Sequence, residues 1–178
     1  MVDRIVRAIR LDWTVFREIA EDRSALKEAA IIVVVVSLLS AIGGGIASGD
    51  FVFSFLVNWL VAMLVGWIGW AVLTYFVGSL LFKGKSDIAE MMRVLGYANA
   101  PKLLGLLGFI PCIGWLIALA GWVLALIAGF IAVREAMEFD TVDAIITIAI
   151  SWVVALAISL IISLILGVPM VAAFSVFS

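Results

Sequence analysis

The stretch from Ala144 to Leu166 reads AIITIAISWVVALAISLIISLIL and contains no charged residue. As an α-helix it would be about 34 Å long, slightly more than the roughly 30 Å hydrocarbon core of a bilayer. Charged residues are also absent from 29–49, 51–82 and 103–133. The 178-residue chain is 66% hydrophobic and only 13% charged, whereas soluble domains are roughly a quarter charged. The sequence therefore predicts an all-α, polytopic bundle of transmembrane helices.

We expect one bundle over residues 29–178, with five spans and a cytosolic amphipathic segment at 86–99. The predicted spans are about 29–47, 51–82, 100–110, 115–133 and 144–166. The second is too long for one upright helix and too short for two spans with a turn, so a single tilted helix is expected. The third is short and follows a kink at Pro101, and it could instead be one leg of a re-entrant hairpin.

The distribution of basic residues predicts the orientation of the chain. Of the 11 Lys and Arg residues, six lie in residues 1–28, four lie in 83–102, and the last is Arg134. Cytoplasmic segments of membrane proteins carry an excess of Lys and Arg. Five spans with a cytosolic N-terminus and an outer C-terminus place all of them on the cytosolic side, whereas four spans would put Arg134 outside.

Residues 1–28 are amphipathic, with apolar side chains recurring at steps of three and four and charged side chains between them. Such a helix can lie in the headgroup plane of a membrane. We expect an interfacial helix whose membrane-surface anchors are Trp13, Phe16, Arg7 and Arg10. The alternative is that this helix packs on the protein's own cytosolic surface.

Small and polar residues recur at helical spacing in three of the predicted spans. Lipid is as apolar as the helices, so close packing of small residues drives their association. We expect these stripes to form helix-packing faces, one of which could be left open to a partner. The residues expected on them are Gly66, Gly114, Gly121, Ser151, Ser159 and Ser163. The alternative is a polar path lined by Asn58, Thr74 and Thr147.

The composition also excludes several kinds of site. The chain has no histidine and one cysteine, Cys112, which excludes a histidine-based catalytic triad or metal site and an internal disulfide. No carboxylate pair lies at membrane depth, so we expect no enzyme, no metal and no cofactor. A net charge of −2 gives no case for nucleic acid. The expected partners are membrane lipids and either another membrane protein or a second copy of the chain.

Residues 96–101 read Gly-Tyr-Ala-Asn-Ala-Pro, and they are followed by a short apolar piece, Pro111 and two long apolar segments. In this element and in the order of its spans, the chain resembles the Yip family, whose members are five-span, Rab-associated membrane proteins with many prokaryotic relatives. The resemblance extends from about Phe16 to Gly167. It implies that Gly96, Tyr97, Pro101 and Pro111 belong to a family element that kinks the chain.

Eukaryotic members of that family carry an Asp-Leu-Tyr-Gly-Pro element before the first span, where this chain has Asp22-Arg23-Ser24-Ala25-Leu26-Lys27. The resemblance therefore implies a prokaryotic-type member in a cytoplasmic membrane, and no Rab-type GTPase is expected as a partner. It implies a non-enzymatic role in membrane organisation, or in recruiting a partner as an accessory subunit of a membrane complex. The alternative is a permease or channel for a small neutral or lipidic solute.

Overall fold

The computed structural model of the chain describes residues 1–46, 56, 59–60, 62–109 and 113–166. All regular secondary structure in these residues is helical, which confirms the all-α prediction. A π-helical segment, Ala62–Gly69, runs directly into α4, and a 3-10 segment, Ala100–Phe109, follows α5. The α-helices are α1 (Val2–Ile9), α2 (Trp13–Glu21), α3 (Ala25–Ile46), α4 (Trp70–Phe82), α5 (Ile88–Ala98), α6 (Gly114–Met137) and α7 (Thr141–Leu166).

Three helical segments in the described part of the chain are long and apolar enough to cross a membrane. They are Met63–Phe82, Gly114–Met137 and Thr141–Ile161, and they overlap the second, fourth and fifth predicted spans. The chain is thus an integral membrane protein. The predicted site residues Asn58 and Pro111 lie outside the described residues, as does the side chain of Ser163.

The third predicted span, 100–110, differs from expectation because most of it is a 3-10 helix. At about 2 Å per residue, Ala100–Phe109 is roughly 20 Å long, which is shorter than the hydrocarbon core. Residues three apart lie on one face of a 3-10 helix, and Pro101 and Leu104 both approach Gly121 of α6 in this way. A Cβ atom added to Gly121 would lie 2.8 Å from the Pro101 carbonyl oxygen and 3.2 Å from the Leu104 Cβ.

The described part of the second predicted span is also not a uniform α-helix. Ala62–Gly69 is π-helical before the chain continues as α4. A π turn holds more residues than an α turn. Gly66, which precedes Trp70, therefore does not lie on the same side of the helix as Thr74 and Gly78, which follow it. Accordingly, Thr74 and Gly78 are buried while Gly66 is only half-buried. The indole N–H of Trp67 donates to the Met92 carbonyl oxygen at 3.0 Å and ties this segment to α5.

The C-terminal ends of α4 and α6 meet at one end of the bundle. Both helices end at a residue with left-handed backbone, Lys83 (φ 54°) and Glu138 (φ 55°). Lys85 Nζ lies 2.7 Å from Glu138 Oε2, and the rings of Phe82 and Phe139 are 5.7 Å apart. Because α7 starts at this same end, it runs antiparallel to α4.

The N-terminal segment forms two short helices rather than the single one predicted over residues 1–28. The break lies at Leu11, which has φ 61°, and Asp12 then caps α2 by accepting a hydrogen bond from the Thr14 backbone N–H at 3.0 Å. Phe16 is 0% exposed, so its expected role as an exposed membrane anchor is wrong. The apolar side of α2 packs on the protein itself, as the alternative interpretation had it.

Candidate functional site

A polar layer at one end of the bundle joins α1 and α2 to α3, α5 and α6. We call residues 1–24, which comprise α1 and α2, the cap. The cap faces α5, whose start is fixed by a capping box. Asp87 and Glu90 each accept a hydrogen bond from the other's backbone N–H. From that start, α5 presents Arg93, Gly96 and Tyr97 on one face, since residues three and four apart are neighbours on a helix.

Tyr97 lies at the centre of this layer and is completely buried. Its hydroxyl donates a hydrogen bond to Glu28 Oε2 in the first turn of α3. Burial, followed by the neighbouring Glu28 carboxylate, raises the pKa of the Tyr97 phenol well above its ordinary value. The tyrosine therefore stays protonated and acts as a hydrogen-bond donor to Glu28.

Gly96 brings α5 and α3 into close contact beside that hydrogen bond. A Cβ atom added to Gly96 would lie 2.6 Å from the Ala29 Cβ and 3.2 Å from the Ala29 Cα. A side chain at position 96 therefore cannot fit without moving one of the two helices. The absence of a side chain at this position sets the spacing that allows Tyr97 to reach Glu28.

Pro101 completes the family element at the junction between α5 and the 3-10 segment. Its side chain is fully buried, and its carbonyl oxygen faces Gly121. Just before it, the Asn99 side-chain amide donates to the Leu95 carbonyl oxygen at 2.9 Å, which satisfies one of the last carbonyls of α5. The described members of the element are thus buried in helix contacts rather than exposed as a binding surface.

Arg4 contacts three carboxylates, two within the cap and one, that of Glu28, in α3. Its guanidinium lies 2.9 Å from Glu18, 2.8 Å from Asp22 and 3.7 Å from Glu28. The Ser24 hydroxyl and then Arg4 hold the pKa of the Asp22 carboxyl down to about 2. A single side chain of α1 therefore links α2 with the carboxylate that also accepts the Tyr97 hydrogen bond.

Arg7 forms a second set of pairs within the cap. Its guanidinium contacts Asp12 and Glu18, each at 3.0 Å, and donates to the Thr14 hydroxyl at 2.9 Å. Hydrogen bonds from Arg7 and then Arg4 lower the pKa of the Glu18 carboxyl. The structure thus pairs Arg7, an expected membrane anchor, inside the cap, whereas Arg10 and Trp13 are exposed.

Two buried charged residues hold α2 against the rest of the protein. Arg93 of α5 is 6% exposed and donates to the Ala20 carbonyl oxygen, in the last turn of α2, at 2.5 Å. Glu135 of α6 is 7% exposed and lies 2.9 Å from Arg17 and 2.7 Å from Arg134. Sequence patterns did not single out either residue, although the position of Arg93 on the same helical face as Gly96 and Tyr97 was an available signal.

The other predicted site residues lie among the membrane helices. In α6, Gly114 and Gly121 are buried. In α7, Ser151 and Ser159 are 0% exposed, and each hydroxyl donates to the carbonyl oxygen four residues earlier at 2.8 Å. Of the expected polar path, Thr74 and Thr147 are both 0% exposed. No cluster of three potential metal ligands occurs among the residues that the structure describes.

The family model described as the Yip1 domain matches residues 14–175 of the chain. No curated protein and no solved structure gives a significant match.

Replacing Gly96 by Ala tests the close contact between α3 and α5. We expect Gly96→Ala to lower the melting temperature of the purified protein in detergent micelles, because the added methyl group overlaps Ala29. Overpacking of this kind costs about 1–3 kcal/mol. The double variant Gly96→Ala/Ala29→Gly should recover most of the lost melting temperature, because removal of the Ala29 methyl group makes room for the one added at position 96.

Gly129→Ala is the matched control, because a Cβ atom there would meet no atom within 4 Å. This variant should melt at the wild-type temperature or slightly above it, since alanine favours a helix over glycine. Equal melting temperatures for Gly96→Ala and Gly129→Ala would contradict the steric account.

Acid titration tests the coupling of Asp22 to its partners within the cap. The pKa of Asp22 is lowered in the folded protein to about 2, so the stabilisation it provides is complete above the ordinary aspartate pKa and is lost as the pH falls towards 2. We expect the wild-type melting temperature to drop across this interval. Asp22→Asn should start lower at neutral pH and lose less on acidification.

The control for this titration is Asp3→Asn, since the Asp3 side chain is 83% exposed and lies 3.9 Å from Arg7. Its acid profile should follow that of the wild type. An Asp22→Asn profile that is parallel to the wild type would show that Arg4 and Asp22 do not couple.

Proposed function

Because the chain belongs to the Yip1 domain family, we propose that it is a non-enzymatic membrane protein that organises the membrane around it by means of the cap. Membership of the family and the apolar helices support the general class. One observation supports the particular role, namely that the cap packs on the bundle through buried contacts and still leaves an apolar and basic edge exposed.

We call Val2, Val6, Arg10 and Trp13 the outer edge of the cap. Val2, Val6 and Trp13 are 70%, 41% and 49% exposed, and Arg10 is also exposed. Val2 and Val6 are four residues apart and share one side of α1, and Arg10, the residue that follows this helix, continues the same spacing. Aromatic and basic residues beside exposed apolar ones are typical of segments that lie at a lipid headgroup region.

The surroundings of α1 support contact of this edge with lipid. α1 contacts the 3-10 segment, where Leu106 and Leu107 are 50% and 41% exposed. Burial of those leucines in a membrane would bring α1 to the membrane surface. We propose membrane lipids as the partner of the outer edge, and a second protein or a second copy of the chain as the competing occupants.

The arrangement of the spans is part of the same proposal. We propose five crossings with a cytosolic cap and an outer C-terminus, in a prokaryotic cytoplasmic membrane. All 11 Lys and Arg residues are then cytosolic, as the positive-inside rule favours. In this arrangement the 3-10 segment would make the third crossing, and α5 would lie on the cytosolic side of the membrane.

Cysteine labelling tests this orientation. In a Cys112→Ser background, a cysteine introduced as Ser178→Cys should react with a membrane-impermeant maleimide from the outer side of the membrane. A cysteine introduced as Arg10→Cys should react only from the cytosolic side and serves as the internal control. Labelling of Ser178→Cys from the cytosolic side alone would overturn the five-span arrangement.

Reconstitution tests the role of the outer edge. We expect the wild-type protein to change the size distribution of phosphatidylcholine–phosphatidylglycerol vesicles, as measured by cryo-electron microscopy at rising protein-to-lipid ratios. The variant Val2→Ser/Val6→Ser/Trp13→Ser should insert equally well and lose most of that effect, because its edge no longer favours the headgroup region.

Val142→Ser is the matched control, since Val142 is 63% exposed but lies at the start of α7 rather than in the cap. It should behave as the wild type does. If the triple variant changed vesicle size as much as the wild type does, the outer edge would have no part in the proposed function. Loss of protein self-association in the triple variant, without a change in vesicle shape, would instead assign the edge to a second copy.

A further inference from the structure

The contact between α4 and α7, which we call the seam, has a register that can be derived from two pairs of rings. Phe82 and Phe139 are 5.7 Å apart at one end, and Trp70 and Trp152 are 5.5 Å apart further along. Counting four residues forward from Trp70 leads to Thr74, and counting five back from Trp152 leads to Thr147, and all four residues lie within α4 and α7. Thr74 and Thr147 therefore lie at nearly the same height, about 6–8 Å from the two tryptophans in the direction of the phenylalanines.

Both threonines have buried hydroxyls that lack a partner. Each is 0% exposed, and neither hydroxyl has a hydrogen-bond partner among the residues that the structure describes. Ser151 and Ser159 of α7 behave differently, because their hydroxyls donate to carbonyl oxygens of their own helix. A buried hydroxyl without a partner is unfavourable, and two of them at one height point to a shared ligand.

The surroundings limit what that ligand can be. Thr74 and Thr147 themselves lie within segments 51–82 and 144–178, which contain no charged residue, so the ligand is neutral. A molecule that contacts both hydroxyls must accept and donate hydrogen bonds. Because both threonines are completely enclosed, the ligand must also be very small. Water meets all three conditions, and buried waters commonly join polar groups that have no other partner.

We propose that Thr74 and Thr147 together bind one water molecule inside the seam. The water accepts a hydrogen bond from one hydroxyl and donates one to the other, so it connects α4 to α7 at a height where no direct hydrogen bond joins the two side chains. This inference does not depend on the proposed function of the cap, and failure of either leaves the other intact.

Threonine-methyl NMR tests the proposal directly, because the chain contains only four threonines, Thr14, Thr74, Thr141 and Thr147. In the full-length protein in detergent micelles with labelled threonine methyl groups, all four methyls should show a nuclear Overhauser contact with water. Thr14 and Thr141 are exposed and serve as positive controls. Contacts confined to those two residues would overturn the proposal.

The shared character of the site is tested by substitution. Thr147→Val should abolish the water contact of the Thr74 methyl, and Thr74→Val should abolish that of Thr147. In thermal unfolding, each single variant should melt a few degrees below the wild type. The double variant should melt no lower than the less stable of the two single variants, because either change removes the same water.

Two controls accompany these measurements. Thr141→Val should leave the melting temperature unchanged, and Thr74→Ser should retain most of it because the hydroxyl is kept. A single valine variant that melts at or above the wild-type temperature would overturn the proposal, since that is the result expected from removing a hydroxyl that has no partner. Additive losses in the double variant would also overturn the shared site.

Discussion

The close approach of α5 to α3 at Gly96 and Ala29 is the contact on which the polar layer depends. With no side chain at position 96, the two helices come near enough for the next residue, Tyr97, to reach Glu28. Glu28 is also within 3.7 Å of Arg4. The carboxylate that receives the Tyr97 hydrogen bond therefore also contacts α1.

The charged contacts of the cap differ in what they contribute. Pairs whose members are largely exposed are worth at most about 1 kcal/mol each, because water and salt screen them. A buried charge that loses its partner costs about 3–5 kcal/mol. Arg93 and Glu135 are buried and face the Ala20 carbonyl and Arg17, so these two contacts contribute more to the attachment of α2 than the exposed pairs do, while the pairs around Arg7 organise the cap internally.

The general architecture could be predicted because it follows from properties that are local in sequence. Long uncharged stretches require membrane helices, and the element at residues 96–101 indicates the family. The departures come from contacts between distant residues. The burial of Phe16 and the contact of the 3-10 segment with Gly121 each depend on a partner elsewhere in the chain, which helical periodicity does not reveal.

The candidate site shows the same division. Gly96, Tyr97 and Pro101 stand out in the sequence, but Arg4, Glu28, Arg93 and Glu135 do not, because a charged residue near the end of an apolar segment ordinarily faces water. The packing of the cap against α3, α5 and α6 gives these residues their partners and buries Arg93 and Glu135. Thr74 and Thr147 are recognisable as polar residues in apolar helices, yet their equal height follows only from the ring contacts at either side of them.

The separation between the cap and its partners has a consequence for how the protein is made. Ala20 and Arg93 are 73 positions apart, and Glu28 and Tyr97 are 69 apart. Synthesis from the N-terminus delivers the cap to the ribosome exit well before α5 exists. During that time the apolar side of α2, including Phe16, lacks the surfaces of α5 and α6 against which it packs. The cap is therefore translated before the helices that it packs on, so its final packing must wait until α5 and α6 have been made.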